Sequence, residues 1–183
     1  MGMDNLRGQL LVASPALLDP NFQRTVILVG EHGEDGAMGL ILNRPSETSI
    51  SEGLPELDEL ADQESVIFVG GPVAPGVVMV LARFREPEDE ETVVGDDIGF
   101  LPAGTELEQL SDTALQTRVF AGYAGWGPGQ LEEEIERSDW IINEPVEREI
   151  FTDRPDTLWS SVLTRMGGRF ALLARMPSDP SVN

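Results

Sequence analysis

The sequence predicts an α+β fold in a single domain, residues 1–183. Three observations carry that reading. Apolar, β-branched runs outnumber helical stretches, about eight against three or four. The two kinds do not alternate strictly, as a doubly wound sheet would require. The chain has 183 residues, 40% of them hydrophobic and 25% charged, which is a globular balance in a length that divides poorly into two cores.

The elements follow in order along the chain. Gln9–Ser14 is a short apolar run stopped by Pro15, and Ser14–Phe22 is a loop with Pro15, Asp19, Pro20 and Asn21. Thr25–Glu31 and Met38–Leu42 are strands around the turn Gly33–Gly36, and together they read as a hairpin. Asn43-Arg44-Pro45 ends the second strand, because proline cannot donate to a ladder. Ser51–Leu60 holds a short helix with Leu54, Leu57 and Leu60 three apart, and Pro55 fits only its first turn. Val66–Val69 and Val77–Phe84 are strands on either side of Gly70-Gly71-Pro72. Glu86–Asp97 is an acidic exposed loop and Leu107–Ala114 is weakly helical. Thr117–Ala121 is a strand that runs into a glycine-rich segment, Gly122–Gly129. Gln130–Arg137 is a helix with Leu131 and Ile135 on one face, and Trp140–Asn143 is a strand. Pro155–Met166 is the clearest helix: proline suits its first turn, Leu158, Val162 and Met166 form a stripe, and Gly167-Gly168 end it. Phe170–Met176 reads as a last strand and Pro177–Asn183 as a loose tail.

Charge and composition exclude several functions. Twelve basic residues, all arginine, against 33 acidic ones give 12 − 33 = −21. Duplex DNA and anionic membranes both require clustered cations, so both are disfavoured as partners. The excess is larger than the charge of about 2–8 that solubility asks of a small domain. A solvated acidic coat is the favoured explanation, with an acidic face for a basic partner as its rival. The absence of cysteine removes disulfides, thiolate catalysis and zinc–thiolate sites. Met1–Leu18 has one cation, Arg7, and an apolar stretch too short for a signal peptide. No run reaches the roughly 20 apolar residues of a spanning helix. A cytoplasmic protein is expected.

Three blocks carry a family resemblance. The first runs from Gly8-Gln9-Leu10-Leu11-Val12-Ala13-Ser14-Pro15 through Asp19-Pro20-Asn21-Phe22-Gln23-Arg24-Thr25-Val26 to Glu31-His32, and on to Gly36-Ala37-Met38-Gly39-Leu40-Ile41-Leu42-Asn43-Arg44-Pro45. The second is Gly70-Gly71-Pro72-Val73. The third is Gly122-Tyr123-Ala124-Gly125-Trp126-Gly127-Pro128-Gly129-Gln130-Leu131-Glu132, followed by Trp140. In this order, from about Arg7 to Trp159, they resemble the YqgE/AlgH family of bacterial proteins. The resemblance implies a mixed, bifurcated, barrel-like sheet with flanking short helices. It implies no established activity, and the family's transcriptional-regulator label descends from one member linked to alginate regulation. Members commonly carry a histidine on the strand after Gly-Gly-Pro and a Gly-His-Ala-like segment near the end. This chain has neither, so His32 is its only histidine.

The candidate chemistry sits within those blocks. The glycines of Gly122–Gly129 have the placement of a phosphate cradle, but no P-loop lysine accompanies them, and Glu132, Glu133 and Glu134 would repel a phosphate. Tight turns and close packing are the favoured explanation. Tyr123 and Trp126 would stack a planar ligand or anchor a peptide, with core packing as the stronger rival. His32 beside Glu31 offers proton transfer or one metal ligand, against a structural role at a hairpin end. Ser14, His32 and Asp19 are the types of a hydrolase triad without a nucleophile elbow. Arg24 and Arg44 suit either an ionic network with Asp19 and Glu31 or a carboxylate ligand.

The best site hypothesis joins Arg24, His32, Asn43, Arg44, Tyr123, Trp126 and Gln130 in one concavity. No cofactor, metal or catalytic residue is assigned. The expected function is a non-catalytic binding or regulatory domain for a protein partner or small ligand. The alternatives are a hydrolase using His32 with Glu31 or Asp19, and a DNA-binding regulator.

Overall fold

The computed structural model describes residues 5–60, 65–86, 94–102 and 113–178. Nine strands form one sheet: β1 (Leu10–Ala13), β2 (Val26–Gly33), β3 (Gly36–Ile41), β4 (Pro45–Ser49), β5 (Val66–Val69), β6 (Val73–Phe84), β7 (Ile98–Pro102), β8 (Ala114–Trp126) and β9 (Trp140–Asn143). The helices are α1 (Ile50–Gly53) with a 3-10 turn at Pro55–Leu60, then α2 (Gln130–Glu136), α3 (Glu147–Ile150), α4 (Pro155–Met166) and α5 (Gly168–Leu173). None of the described helices is long and apolar enough to cross a membrane.

The sheet path is β4-β5-β8-β3-β2-β1-β9, with β6 and β7 branching from β8. β8 is the fork. Its earlier part pairs with β6 and, in parallel through Phe120 and Ala121, with β5; its last residues, Ala124–Trp126, pair with β3. The expected mixed, bifurcated sheet with short flanking helices is the architecture found.

Burial on both faces explains why β1–β3 read as continuous apolar runs rather than alternating ones. Leu10, Val12, Val26, Leu28 and Leu40 enter one core, which α4 covers with Leu158, Trp159, Val162 and Leu163. Leu11, Ala13, Ile27, Val29 and Ile41 enter a second, shared with Leu131 of α2 and with Trp126 and Trp140. A third, smaller core holds Ile50, Leu57, Ile67, Val80 and Val119. The β2–β3 hairpin closes on Gly33 opposite Gly36, and its register slips by one residue at Gly30. A Cβ at Gly30 would lie 2.6 Å from the Phe100 ring, so the glycine admits β7's aromatic side chain.

Several expectations are corrected. Phe170–Met176 is not a strand: Gly168–Leu173 is helical. Phe170, Leu173 and Ala174, spaced three and one, pack on the first core while Leu172 is exposed, so the helical period decides. The segment Gly122–Trp126 is strand rather than turn. The Ser51–Leu60 helix divides at Leu54 into α1 and the 3-10 turn. β3 ends at Ile41, before Asn43-Arg44-Pro45, and Pro45 itself opens β4, an edge strand, where its missing donor is harmless. β7 was not anticipated, although buried Ile98 and Phe100 alternate there. Within the acidic segment, residues 87–93 lie outside the described residues, as do 107–112 of the weakly helical Leu107–Ala114, whose last residue opens β8, and 179–183 of the tail.

Candidate functional site

The seven candidate residues divide among three places. Arg24, Asn43 and Arg44 form the first set. Asn43 Oδ1 accepts the Val26 N–H at 3.0 Å, and Asn43 Nδ2 donates to the Arg24 carbonyl at 2.9 Å. Arg44 Nη2 donates to the Gln23 carbonyl at 2.5 Å. Arg24 adopts φ +55°, donates to the Met176 carbonyl and lies 4.4 Å from the centroid of the Trp159 ring. The expected ionic network with Asp19 and Glu31 is absent from the described residues; the arginines bind main-chain carbonyls instead. Together these groups fasten the loop before β2 to the end of β3 and to the segment after α5. Asp19 caps its own turn, accepting the Asn21 N–H at 2.9 Å.

His32, Trp126 and Gln130 form the second set: His32 and Trp126 bond to side chains of α2, and Gln130 opens that helix. His32 Nδ1 accepts the Leu6 N–H at 3.1 Å, which places the proton of the neutral ring on Nε2, 2.9 Å from Glu132 Oε1. The ring's partner is therefore Glu132 of α2, not the neighbouring Glu31. Only 6% of the imidazole is exposed, and both nitrogens are engaged. Glu134 is the hub of this set. Its Oε2 accepts Trp126 Nε1 at 2.9 Å and Trp140 Nε1 at 2.8 Å, and its Oε1 accepts Gln130 Nε2 at 3.0 Å. Gln130 Oε1 in turn accepts the Gly127 N–H at 3.0 Å. Phe22 completes a three-ring cluster, with centroids 6.4 Å from Trp126 and 5.7 Å from Trp140.

Tyr123 stands apart. Phe120 and Tyr123 pack into the first core, whereas Ala124 and Trp126 enter the second. Strand alternation alone would put Phe120, Ala124 and Trp126 on one face. Gly122, at φ +72°, reverses the alternation within β8. It does so against the Gly-Gly-Pro block: a Cβ on Gly71 would fall 2.1 Å from the Tyr123 carbonyl carbon, and one on Gly70 2.2 Å from the Gly122 oxygen. The second and third motif blocks thus meet backbone to backbone, a contact only glycine permits.

Open surface lies elsewhere. A cleft of about 600 Å³ is lined by Arg83, Gln116, Val146, Glu147, Arg148, Phe151 and Asp153, and none of the seven candidates lines it. A second, of about 580 Å³, shares Arg83 and Glu147 with it. Arg83 Nη1 lies 2.5 Å from Glu147 Oε1 and donates to Gln116 Oε1 at 3.2 Å, and Nε lies 3.3 Å from Asp97 Oδ2. Nearby, burial lowers the Arg118 pKa from its usual value, while Asp153 acts to raise it. Sequence reasoning missed these groups because isolated charges on separate strands and helices leave no local motif. Among the described residues no three His, Asp or Glu side chains gather to hold a metal.

An uncharged stretch is also exposed. From Val73 to Val78 the chain advances five residues while β8 advances from Tyr123 back to Ala121, so Ala74–Val77 bulge from the ladder. Val69, Val73 and Val77 are 44%, 37% and 47% exposed. Val69 and Val78 both pair with Ala121, so Val69, Ala121 and Val78 stand in one row across β5, β8 and β6.

A family model described as AlgH-like matches residues 10–171. The chain belongs to the AlgH-like family. This AlgH-like chain is 40% identical over 188 residues to a UPF0301 protein of Streptomyces coelicolor, an alignment covering 99% of the chain and 97% of the relative. It is 38% identical over 181 residues to one from Mycobacterium tuberculosis, covering 96% and 90%. The crystal structure of DIP2367 from Corynebacterium diphtheriae superimposes with a TM-score of 0.86 at 25% identity, covering 96% and 95% of the two chains. The solution structure of the AlgH protein from Pseudomonas aeruginosa does so with 0.73 at 29% identity, covering 97% of each.

Proposed function

We propose that this AlgH-like chain is a non-catalytic binding domain that docks a protein partner through the uncharged surface from Val69 to Val78. One observation carries the reading. Ten consecutive residues, Val69 through Val78, hold no charge in a chain that is 25% charged, and three of their valines are exposed by a third or more. Exposed apolar surface of this kind is a feature of interaction sites. The bulge at Ala74–Val77 lifts it from the sheet, and the Gly70–Gly71 contact with Gly122–Tyr123 fixes its base.

The internal engagement of the polar candidates supports the same reading. Use of His32 as a general base would require giving up its bond to Leu6 or to Glu132. Ser14 Oγ accepts the Ala16 N–H and makes no bond to His32.

The test compares proteins retained from the source cell's lysate by the wild type and by Val69→Asp/Val77→Asp. Both side chains are exposed, so the fold is expected to survive, which a thermal melt verifies. A protein retained in stoichiometric amount by the wild type and lost from the variant is the expected result. Identical retained sets would refute the assignment of this surface.

A further inference from the structure

The cleft at Arg83 lies outside the surface just described and has a charge pattern of its own. Its charged lining is balanced, with Arg83 and Arg148 against Glu147 and Asp153, in a chain whose overall count is 12 basic to 33 acidic residues. Half of that lining is already spent. Arg83 is only 12% exposed and is clamped by Glu147 and Asp97, with Gln116 on the same Nη1. Its guanidinium lies 5.6 Å from the centroid of the Phe151 ring.

The other half is not. Arg148 on α3 and Asp153 between α3 and α4 are both exposed, and neither makes an ion pair with the other or with another described residue. Asp153 feels Arg118 electrostatically but does not contact it. No ion pair joins these two opposite charges in the cleft. The lining also supplies Val146 and Phe151 as apolar wall and Gln116 as an amide. A volume of about 600 Å³ is in the range of small-molecule sites.

We propose that this cleft binds a zwitterion with an apolar body: an α-amino acid, or a short peptide with free ends. Its carboxylate pairs with Arg148, its ammonium with Asp153, and its side chain lies against Val146 and Phe151. A dipolar ligand carries no net charge, so the field of a −21 chain does not repel it as it would an anion. The planar fork of Arg148 suits a carboxylate.

The experiment titrates the full chain with L-leucine, the dipeptide Leu-Leu, N-acetyl-leucine and leucinamide, following amide NMR shifts up to roughly 10 mM, where a millimolar site is mostly filled. Saturable shifts centred on Gln116, Glu147 and Asp153 are expected with leucine or the dipeptide. The tighter of the two identifies a free amino acid or a peptide as the source. N-acetyl-leucine, without the ammonium, and leucinamide, without the carboxylate, should each bind at least roughly tenfold more weakly, one charged contact being lost. Asp153→Asn should weaken leucine and leave N-acetyl-leucine unchanged; Arg148→Gln should weaken leucine and leave leucinamide unchanged. Both side chains are exposed, and the dispersion of the remaining amide signals reports folding directly. Absence of saturable shifts with both leucine and the dipeptide overturns the proposal. Equal binding of all four probes, or variants that bind as the wild type, overturns it as well.

Discussion

Glu134→Ala should destabilise the protein through two tryptophans rather than through the helix it sits on. The carboxylate accepts three N–H groups, of which two belong to the indoles of Trp126 and Trp140, residues only 6% and 3% exposed. Removing a partner from a buried donor costs about 1–3 kcal/mol. The third donor, Gln130, is exposed and finds water at little cost. Alanine recovers a few tenths of a kcal/mol in helix propensity within α2. Two such donors, less the propensity gain, give a loss of roughly 2–5 kcal/mol, with Tm falling by roughly 4–20 °C for a chain of this size. Glu134→Gln separates charge from acceptor. Its single oxygen can still serve both indoles, as Oε2 does now, so only charge assistance and the Gln130 bond are lost. That variant should lose about 1–2 kcal/mol. Urea unfolding followed by tryptophan emission measures both, since two of the three indoles report from the site itself. A loss below about 0.5 kcal/mol for alanine, or a larger loss for glutamine than for alanine, would refute the hydrogen-bond argument.

Three further outcomes follow from geometry. Gly71→Ala should fail to fold or lose at least about 3 kcal/mol, because its Cβ would land 2.1 Å from the Tyr123 carbonyl carbon. Gly33→Ala, with nothing within 4 Å, should stay within about 0.5 kcal/mol of the wild type; parallel thermal melts compare them. Glu149→Ala should cost about 1–3 kcal/mol by removing the acceptor of the Val146 N–H and the partner of Arg165, whose Nε and Nη2 lie 2.6 and 2.9 Å from a carboxylate that is 4% exposed; chemical denaturation reads it. His32→Ala should cost about 1–2 kcal/mol and speed hydrogen exchange at the Leu6 amide, which loses its acceptor, Nδ1; unchanged exchange there would contradict the assignment.

The fold was legible where local chemistry and tertiary environment agree. Pro155 and Gly167 bracket α4 as their backbone preferences dictate. The β2–β3 hairpin forms around glycines at both ends of its turn. The misreadings have one physical source. A short apolar run lacks enough period to separate helix from strand, and at Phe170–Met176 the docking of Phe170 and Leu173 on the α4 core settles the matter. Gly122–Trp126 is rich in residues that usually bend a chain, yet it is held extended because β3 and β6 supply ladder partners on its two sides. The candidate site was legible in composition but not in arrangement. His32 and Glu132 are 100 positions apart, and nothing local says that the histidine turns to α2 instead of Glu31.

A division of labour within the sequence follows. The glycines of the matched blocks are required by approaches such as Gly71 on Tyr123 and Gly36 on Trp126, where a Cβ would lie 2.1 Å from main-chain atoms. The polar residues of the same blocks, Arg24, Asn43, Arg44 and His32, hold main-chain groups in the loops those approaches create. What these residues specify is the fork at β8 and the attachment of its neighbours. On the two proposals, recognition falls to positions that the fork presents: the uncharged bulge of β6 next to Gly122, and the opposite end of the same β6–β8 pair, where Arg83 faces Gln116 across the ladder. Both surfaces are built on one pair of long strands. A ligand in the Arg83 cleft and a partner on the Val69–Val78 surface would therefore contact the same pair of strands at its two ends, so each can be tested by substituting exposed side chains without touching the glycine contacts at the base of the bulge.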